Sequence, residues 1–218
     1  MRPSRKEYII WLDEVGRWPL AGPVVVGGVF CLPSFRQSQL PSWCSQVTDS
    51  KKLSSWQREY LSTLLVSCTD IVFATSFVSA KYIDRYGIVV AIRRASLDVI
   101  QQIIIKITPL LWENWKQKIK ILLDGKTDYG IRQKINTPLT TIVKWDSSIW
   151  EIGAASIIAK VQRDQYMIIL SNKKRYQHYE FNRHKGYGTL LHRTAIAQYG
   201  LSDVHRVSFC KNIIPLVF

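Results

Sequence analysis

The chain reads as an α/β protein with a mainly helical C-terminal extension. Three features point there: short β-type runs, longer runs with helical periodicity placed between and after them, and acidic residues where the β-type runs stop. The β-type runs are 8–12, 24–31, 70–78, 119–123 and 139–144, and the helical ones are 54–67, 88–106 and 151–172. A length of 218 residues suits one sizeable domain, or one domain with a small appendage, and can bury a full core.

Each element has a local warrant. The apolar run 8–12 leads into the adjacent acids Asp13-Glu14, and a Gly/Pro-rich turn then opens the run at 24–31. Ser54 offers an N-cap for a helix over 54–67, with Leu61, Leu64 and Leu65 at helical spacing after it. In 88–106, positions 88, 92, 95, 99 and 103 are apolar while Arg93, Arg94, Asp98 and Gln102 lie on the other side, the mark of an amphipathic helix. The run 119–123 predicts a buried strand ending at Asp124-Gly125, and 139–144 a further strand ending at Asp146. Residues 151–172 predict one long helix whose Gly153, Ala154, Ala155 and Ser156 permit close packing on a neighbour. Beyond it nothing resembles a strand: 173–192 is basic, aromatic and turn-rich, and a short helix is expected near 189–199. The chain thus divides into an α/β core, 1–172, and a basic, helical extension, 173–218, packed on it.

Charge narrows the partner. There are 30 Lys and Arg against 16 Asp and Glu, a net charge of +14, so a polyanion is expected, with nucleic acid first. A membrane is excluded because no long basic amphipathic helix or unbroken apolar span of about 18 residues occurs. The four cysteines, Cys31, Cys44, Cys68 and Cys210, have neither zinc nor disulfide spacing and read as reduced thiols. The stretch before Asp13 has too few apolar residues for a signal peptide, so a cytoplasmic protein is expected.

Asp13-Glu14, Asp124 and Asp146 each follow a predicted strand, and an α/β sheet brings such ends to one edge. Gathered carboxylates repel one another, and without His or Cys company they suit hard Mg²⁺ or Mn²⁺ ions. Two such ions about 4 Å apart can activate water and stabilise the leaving oxygen of a phosphodiester. Taken singly, Asp13-Glu14 also suits a solvated hairpin end, Asp124-Gly125 a turn, and Asp146 a capping or loop acid. Only the set, on so basic a chain, points to a metal site.

Longer motifs carry a resemblance. Asp13-Glu14-x-Gly16-Arg17-x-Pro19-Leu20-Ala21-Gly22-Pro23-Val24 resembles the first motif of the ribonuclease HII family. Asp49-Ser50-Lys51-Lys52-Leu53-Ser54 resembles the second and Leu123-Asp124-Gly125 the third. Lys144-x-Asp146-Ser147, Glu151-Ile152 and Ala154 to Asp164 resemble the fourth, and His184-Lys185-Gly186-Tyr187-Gly188-Thr189 with His192 and His205-Arg206 complete the series. The resemblance spans about residues 8 to 212. It implies a ribonuclease H-like fold, a five-stranded mixed sheet flanked by helices, with Asp13, Glu14, Asp124 and Asp146 both catalytic and metal-binding in a two-metal Mg²⁺ or Mn²⁺ site. It also implies hydrolysis of RNA paired with DNA, and incision 5′ to ribonucleotides embedded in duplex DNA, leaving 3′-hydroxyl and 5′-phosphate ends.

Physical roles follow for each residue. Asp13 and Glu14 point to opposite faces of a regular strand, so a shared site requires the backbone to turn there, which Gly16 makes cheap. Asp13 then shares both metals, with Glu14 and Asp124 on one and Asp146 on the other. Gly16, Arg17 and Trp18 approach the ribose, and Tyr187 stacks on the sugar beside the junction. Lys51, Lys52, Lys160, Arg163, Lys185 and Arg206 are candidates for phosphates, Asp164 for an ion pair on its own helix, and His184, His192 and His205 are too dispersed for a metal site by spacing.

Four tryptophans depart from the family pattern. Trp18 stands where Gly-Arg-Gly has its second glycine, Trp11 where a glycine precedes the acid pair, Trp145 in place of the glycine of Lys-Gly-Asp, and Trp150 in place of a proline. Trp18 at a glycine position either strains the turn and fills the ribonucleotide's space, or points outward, or stacks on a base. The alternative function is therefore a catalytically impaired nucleic-acid-binding protein on the same fold, with Trp18 and Trp145 the cause. The ribonuclease HIII branch generally carries an extra N-terminal domain, which the 12 residues before Asp13 do not provide, and a junction resolvase has no reason to keep the Lys185–Gly188 motif. A monomer is expected, and the apolar end 212–218 is a candidate for sliding-clamp docking.

Overall fold

The computed structural model describes residues 8–37, 40–111, 115–143 and 149–213. The β-type runs form five strands, β1 (Tyr8–Val15), β2 (Val24–Cys31), β3 (Ile71–Val78), β4 (Ile119–Asp124) and β5 (Leu139–Ile142). They make one sheet in the order β3-β2-β1-β4-β5. β1 to β3 pair antiparallel, while β4 lies parallel to β1 and β5 parallel to β4, so the sheet is mixed as expected. The helices are α1 (Pro33–Gln37), α2 (Ser55–Ser67), α3 (Ala80–Tyr86), α4 (Ile88–Ile107), α5 (Trp150–Ser171), α6 (Phe181–His184) and α7 (Leu190–Tyr199). The short α1, α3 and α6 had no periodic signal in the sequence, because a helix of about two turns or fewer shows too little of one.

Two helices cover the two faces of the sheet. Alternation in β1 sends Ile10 and Leu12 into a cluster with Ile92, Ala95, Val99 and Ile103 of α4. The intervening Ile9 and Trp11 pack with Ile152 of α5. Trp11 is wholly buried there, so this departure from a glycine is core packing and lies away from substrate. Between the helices, β2 has no room for side chains at its centre. A Cβ on Gly27 would fall 2.4 Å from the Ala155 carbonyl oxygen, and one on Gly28 2.4 Å from Val99 Cγ1. These two glycines let α5 and α4 settle on opposite sides of one strand, and the small residues of α5 serve the close packing their size suggested. Trp150 begins α5 and packs against the rings of Phe35 and Trp43.

The cap read from the sequence at Ser54 is present, and the structure adds one at Thr189. Ser54 and Gln57 form a reciprocal capping box at α2, and the Thr189 hydroxyl accepts from the His192 amide at α7. Beyond α5, Met167 and Leu170 join Tyr176, Tyr179, Phe181 and Ala195, and this cluster also takes in Ala21 from the turn after β1. The backbone completes the tie: Leu20 N–H donates to Gly186 O at 2.8 Å, Gly22 N–H to Val204 O at 2.8 Å, and Arg206 N–H to Leu20 O at 2.7 Å. The C-terminal segment thus holds the turn next to the acids.

Candidate active site

β1 and β4 lie side by side and parallel, with Leu12 opposite Leu123, so Asp13 and Asp124 follow at the same edge of the sheet. β1 remains regular through Val15, with Asp13 paired to Gly27 and Glu14 to Val26. The backbone turn expected between the two acids is absent, and it comes instead at Gly16, whose φ is +83°. The acids therefore straddle the sheet. Asp13 faces α5, where Ser156 hydrogen-bonds it, while Glu14 Oε1 accepts from the Tyr129 hydroxyl at 2.7 Å, on the loop after β4.

Burial pushes the Asp13 carboxyl up to about 8, with the nearby charges of Glu14 and Asp124 adding to the effect. Burial raises Glu14 as well, and Asp124 adds to it. Such a group of acids is a standing demand for positive charge. Among the described residues no three His, Cys, Asp or Glu side chains gather closely enough to hold an ion by themselves. Asp146 lies outside the described residues, as do Lys144 and Trp145. The donor chemistry nevertheless fits Mg²⁺ or Mn²⁺, because Mg²⁺ in particular keeps several waters and completes its shell with substrate phosphate, needing only one or two carboxylates.

The turn after β1 is built around two arginines. Arg206 Nη2 donates to Gly16 O at 2.7 Å, Nη1 to Arg17 O at 3.0 Å and Nε to Gly22 O at 3.0 Å. Arg163 Nε donates to Pro23 O at 3.0 Å, Nη1 to Lys185 O at 3.0 Å and Nη2 to Ala21 O at 3.3 Å. Both are wholly buried, and desolvation lowers both, Arg206 to about 9. The expectation of phosphate contacts at Arg163 and Arg206 is corrected: their donors are taken up by carbonyls and their surfaces are closed to a ligand. Gly16 is required by the same packing, since a Cβ there would fall 2.2 Å from Arg163 Nε.

Arg17 and Trp18 ride on this frame. Trp18 is 73% exposed and its backbone stays out of the left-handed region, so it points outward without strain. The Arg17 guanidinium lies over the Trp18 ring at 5.0 Å and over the Tyr129 ring at 5.6 Å. On the other side of Asp13, Ser50 and Ser156 are joined at 2.8 Å, which links the Asp49–Ser54 loop to the acid through buried hydroxyls. Arg58 donates to the carbonyls of Ser50, at 2.9 Å, and Leu53, so the loop is held from behind while Lys51 and Lys52 stand in solvent.

Tyr187 lies under two cations, Lys160 Nζ at 5.4 Å and Arg163 Cζ at 5.7 Å from its ring, and is 37% exposed. Lys160 pairs with Asp164 at 2.8 Å, the ion pair expected of Asp164. Lys185 is half-buried in left-handed backbone beside it. The three histidines, dispersed in sequence, meet behind this motif. His192 Nδ1 donates to Tyr187 O at 3.0 Å, because a carbonyl only accepts. His205 Nδ1 accepts the Ser202 N–H at 2.9 Å, so its Nε2–H donates to His192 Nε2 at 3.0 Å. His184 Nδ1 accepts the Gly186 N–H at 3.2 Å and its Nε2 donates to Tyr179 O at 2.7 Å. All three are neutral: burial lowers His184, and takes His192 to about 3 and His205 to about 4. They position the Gly186–Tyr187 backbone rather than a metal.

Three elements had escaped the sequence reading: Tyr129, the Ser50–Ser156 link and the histidine chain. Only Tyr129 left a local trace, as an aromatic before a glycine a few residues beyond Asp124.

The family model described as Ribonuclease HII matches residues 10–212. A ribonuclease HII from a Geobacillus strain is 39% identical over 93% of this chain, which spans 64% of that relative's length. One from Chloroherpeton thalassium is 37% identical over 93% of this chain and 90% of its own. Among solved structures, the RNase HII of Archaeoglobus fulgidus in its PCNA complex superposes with a TM-score of 0.67, at 20% identity, over 94% of this chain and 96% of that one. Bst-RNase HIII in complex with Mn²⁺ gives 0.63 at 18% identity, over 89% of this chain and 63% of that one. The structural likenesses carry the fold and the sequence likenesses carry the family: the chain belongs to the ribonuclease HII family of type 2 ribonuclease H endonucleases.

Proposed function

We propose that this protein is a divalent-metal-dependent endoribonuclease that hydrolyses the RNA strand of RNA–DNA hybrids and incises 5′ to ribonucleotides embedded in duplex DNA, leaving 3′-hydroxyl and 5′-phosphate ends. The observation that supports the reading is the placing of Asp13, Glu14 and Asp124 at one end of neighbouring strands, with burial and nearby negative charge raising the first two. Asp13, Glu14, Asp124 and Asp146 are the residues that would hold Mg²⁺ or Mn²⁺, and an RNase HIII of similar fold has been solved with Mn²⁺. Bound there, such ions supply an activated water and neutralise charge on the leaving oxygen.

The chain's own residues then bind and orient the substrate. Arg17, on the carbonyl frame set by Arg206, presents its guanidinium fork to a phosphate next to the acids. Tyr187, held by the histidine chain, packs its ring on the sugar at the junction. Lys51, Lys52, Lys160 and Lys185 bear on the backbones of the two strands, where each phosphate neutralised releases a counterion. Because Trp18 points outward, it leaves the ribonucleotide's space open and offers an exposed ring to a base.

The protein is proposed to act as a cytoplasmic monomer. A sliding clamp is a candidate partner, since the Archaeoglobus relative forms a complex with PCNA, although residues 214–218 of the suggested docking segment lie outside the described residues.

The test is cleavage of a labelled DNA duplex holding one ribonucleotide, beside an RNA–DNA hybrid and an all-DNA control, in Mg²⁺ and in Mn²⁺, with Asp124→Asn for comparison. Metal-dependent incision on the 5′ side, lost in Asp124→Asn, is the expected result. Binding without cleavage in either metal would replace the proposal with the catalytically impaired binder. Cutting of the hybrid alone would limit the proposal to longer RNA stretches.

A further inference from the structure

Tyr129 is the least expected member of the site. It is 3% exposed, and its backbone is left-handed, with φ +52°, a conformation a bulky residue adopts only where its surroundings impose it. The loop does impose it. Asp128 Oδ1 accepts from Gly130 N–H at 3.0 Å, Asp128 O accepts from Ile131 N–H at 2.8 Å, and Ile131 is anchored in the core. The result of this local strain is a phenol placed between two opposite charges. Its hydroxyl donates to Glu14 Oε1 at 2.7 Å and accepts from Arg17 Nη1 at 3.1 Å. Arg17 itself comes no nearer to Glu14 than 3.9 Å.

Packing alone does not call for that hydroxyl, since a phenylalanine would fill the same volume and stack equally well under Arg17. The hydroxyl does two things a ring cannot. It fixes the rotation of the Glu14 carboxylate by binding one oxygen, and it stands between Glu14 and Arg17, so that the guanidinium is prevented from closing on the carboxylate. We propose that Tyr129 is a positioning residue that sets Glu14 and Arg17 as one unit, orienting the Glu14 carboxylate for a divalent cation while keeping the Arg17 fork for phosphate. The inference rests on the carboxylate reading of the site above. Partners that orient a ligand in this way are typically worth about 10- to 100-fold in metal affinity or activity.

The experiment measures Mn²⁺ binding to the substrate-free protein, by the electron paramagnetic resonance signal of free Mn²⁺, for the native chain, Tyr129→Phe, Glu14→Gln and the double variant. Tyr129→Phe keeps the ring, and a melting curve without metal checks that the fold survives. The expected result is affinity weakened about 10-fold in Tyr129→Phe, with no further loss when Tyr129→Phe is added to Glu14→Gln, because the phenol acts through Glu14. In the cleavage assay the same variant should recover most of its kcat at high Mn²⁺. Unchanged affinity in Tyr129→Phe overturns the inference while leaving the carboxylate site intact. A full extra loss in the double variant also overturns it, since Tyr129 would then act elsewhere. A native chain that binds no Mn²⁺ would sink the carboxylate reading, and this inference with it.

Discussion

Arg163 and Arg206 lie wholly inside the protein, their guanidinium groups divided among carbonyls of the turn after β1 and of Lys185, whereas Lys51 and Lys52 stand in solvent on a loop held from behind by Arg58. All four cations sit in motifs beside the acids, and all four have the charge a phosphate wants. What separates them is the shape of the donor. A planar fork with five N–H groups satisfies several carbonyls that converge on it, while an ammonium on a flexible stem suits a solvated backbone partner. The buried pair shapes the surface and the exposed pair touches what lies on it.

The largest effect expected from this difference is on stability. Arg206→Ala leaves the carbonyls of Gly16, Arg17 and Gly22 without their buried donor and opens a cavity, which should cost about 3–5 kcal/mol in urea unfolding. Arg206→Lys should recover little of it, since one ammonium cannot span the three acceptors in the same geometry. If Arg206→Ala instead unfolds like the native chain and only binds hybrid more weakly, the distinction between the two cation groups breaks down.

Acid should weaken the same frame from behind. His192 and His205 are neutral in the fold, with values lowered from 6.5 to about 3 and about 4. A lowered folded value means that the unfolded chain takes up protons first, so stability is fully present above about pH 6.5 and is lost as pH falls towards 4 and below. The loss should be on the order of a few kcal/mol, and it should be visible as a falling urea midpoint between pH 6.5 and 4. Replacing His205 by Gln should flatten that slope, and an unchanged slope would mean that other groups carry it.

Lys51→Gln and Lys52→Gln should do the reverse of Arg206→Ala. Their melting temperatures should stay near the native value, as surface substitutions usually change stability by less than about 0.5 kcal/mol. Their affinity for a hybrid should fall, and the slope of log affinity against log salt should decrease by about 1 for each phosphate that is no longer neutralised. A fall in stability without a change in salt slope would place these lysines with the buried pair.

The smallest effect is expected at Trp18. Its ring gives Arg17 an exposed cation–π contact, so Trp18→Gly should cost no more than about 1 kcal/mol of stability. Incision at a single ribonucleotide should change only a few-fold. A large gain in that activity would show that the indole obstructs the ribonucleotide after all.

The acids and the helices were legible because their signals are local. The apolar runs 8–12 and 119–123 located two strands, Ser54 stands at a real cap, and the positions 92, 95, 99 and 103 do face the core. The turn expected between Asp13 and Glu14 was misplaced because β1 keeps its antiparallel pairing with β2 through Val15, after its pairing with β4 has ended at Leu12. Arg163 and Arg206 were misread because a motif specifies residue types and is silent on depth.

By itself, then, the sequence determined the alternation of strands and helices, the placing of Asp124 at a strand end, a basic chain suited to a polyanion, and the motifs of the ribonuclease HII family. Only the tertiary structure decided that Asp13 and Glu14 straddle the sheet, that two arginines are internal braces, that three neutral histidines hold the Tyr187 backbone, and that Tyr129 stands between Glu14 and Arg17. The physical reason is range. Periodicity and capping act over a few residues, whereas the burial and hydrogen-bond partners of a side chain depend on segments more than a hundred positions away, as Tyr129 is from Glu14 and Arg206 is from Gly16.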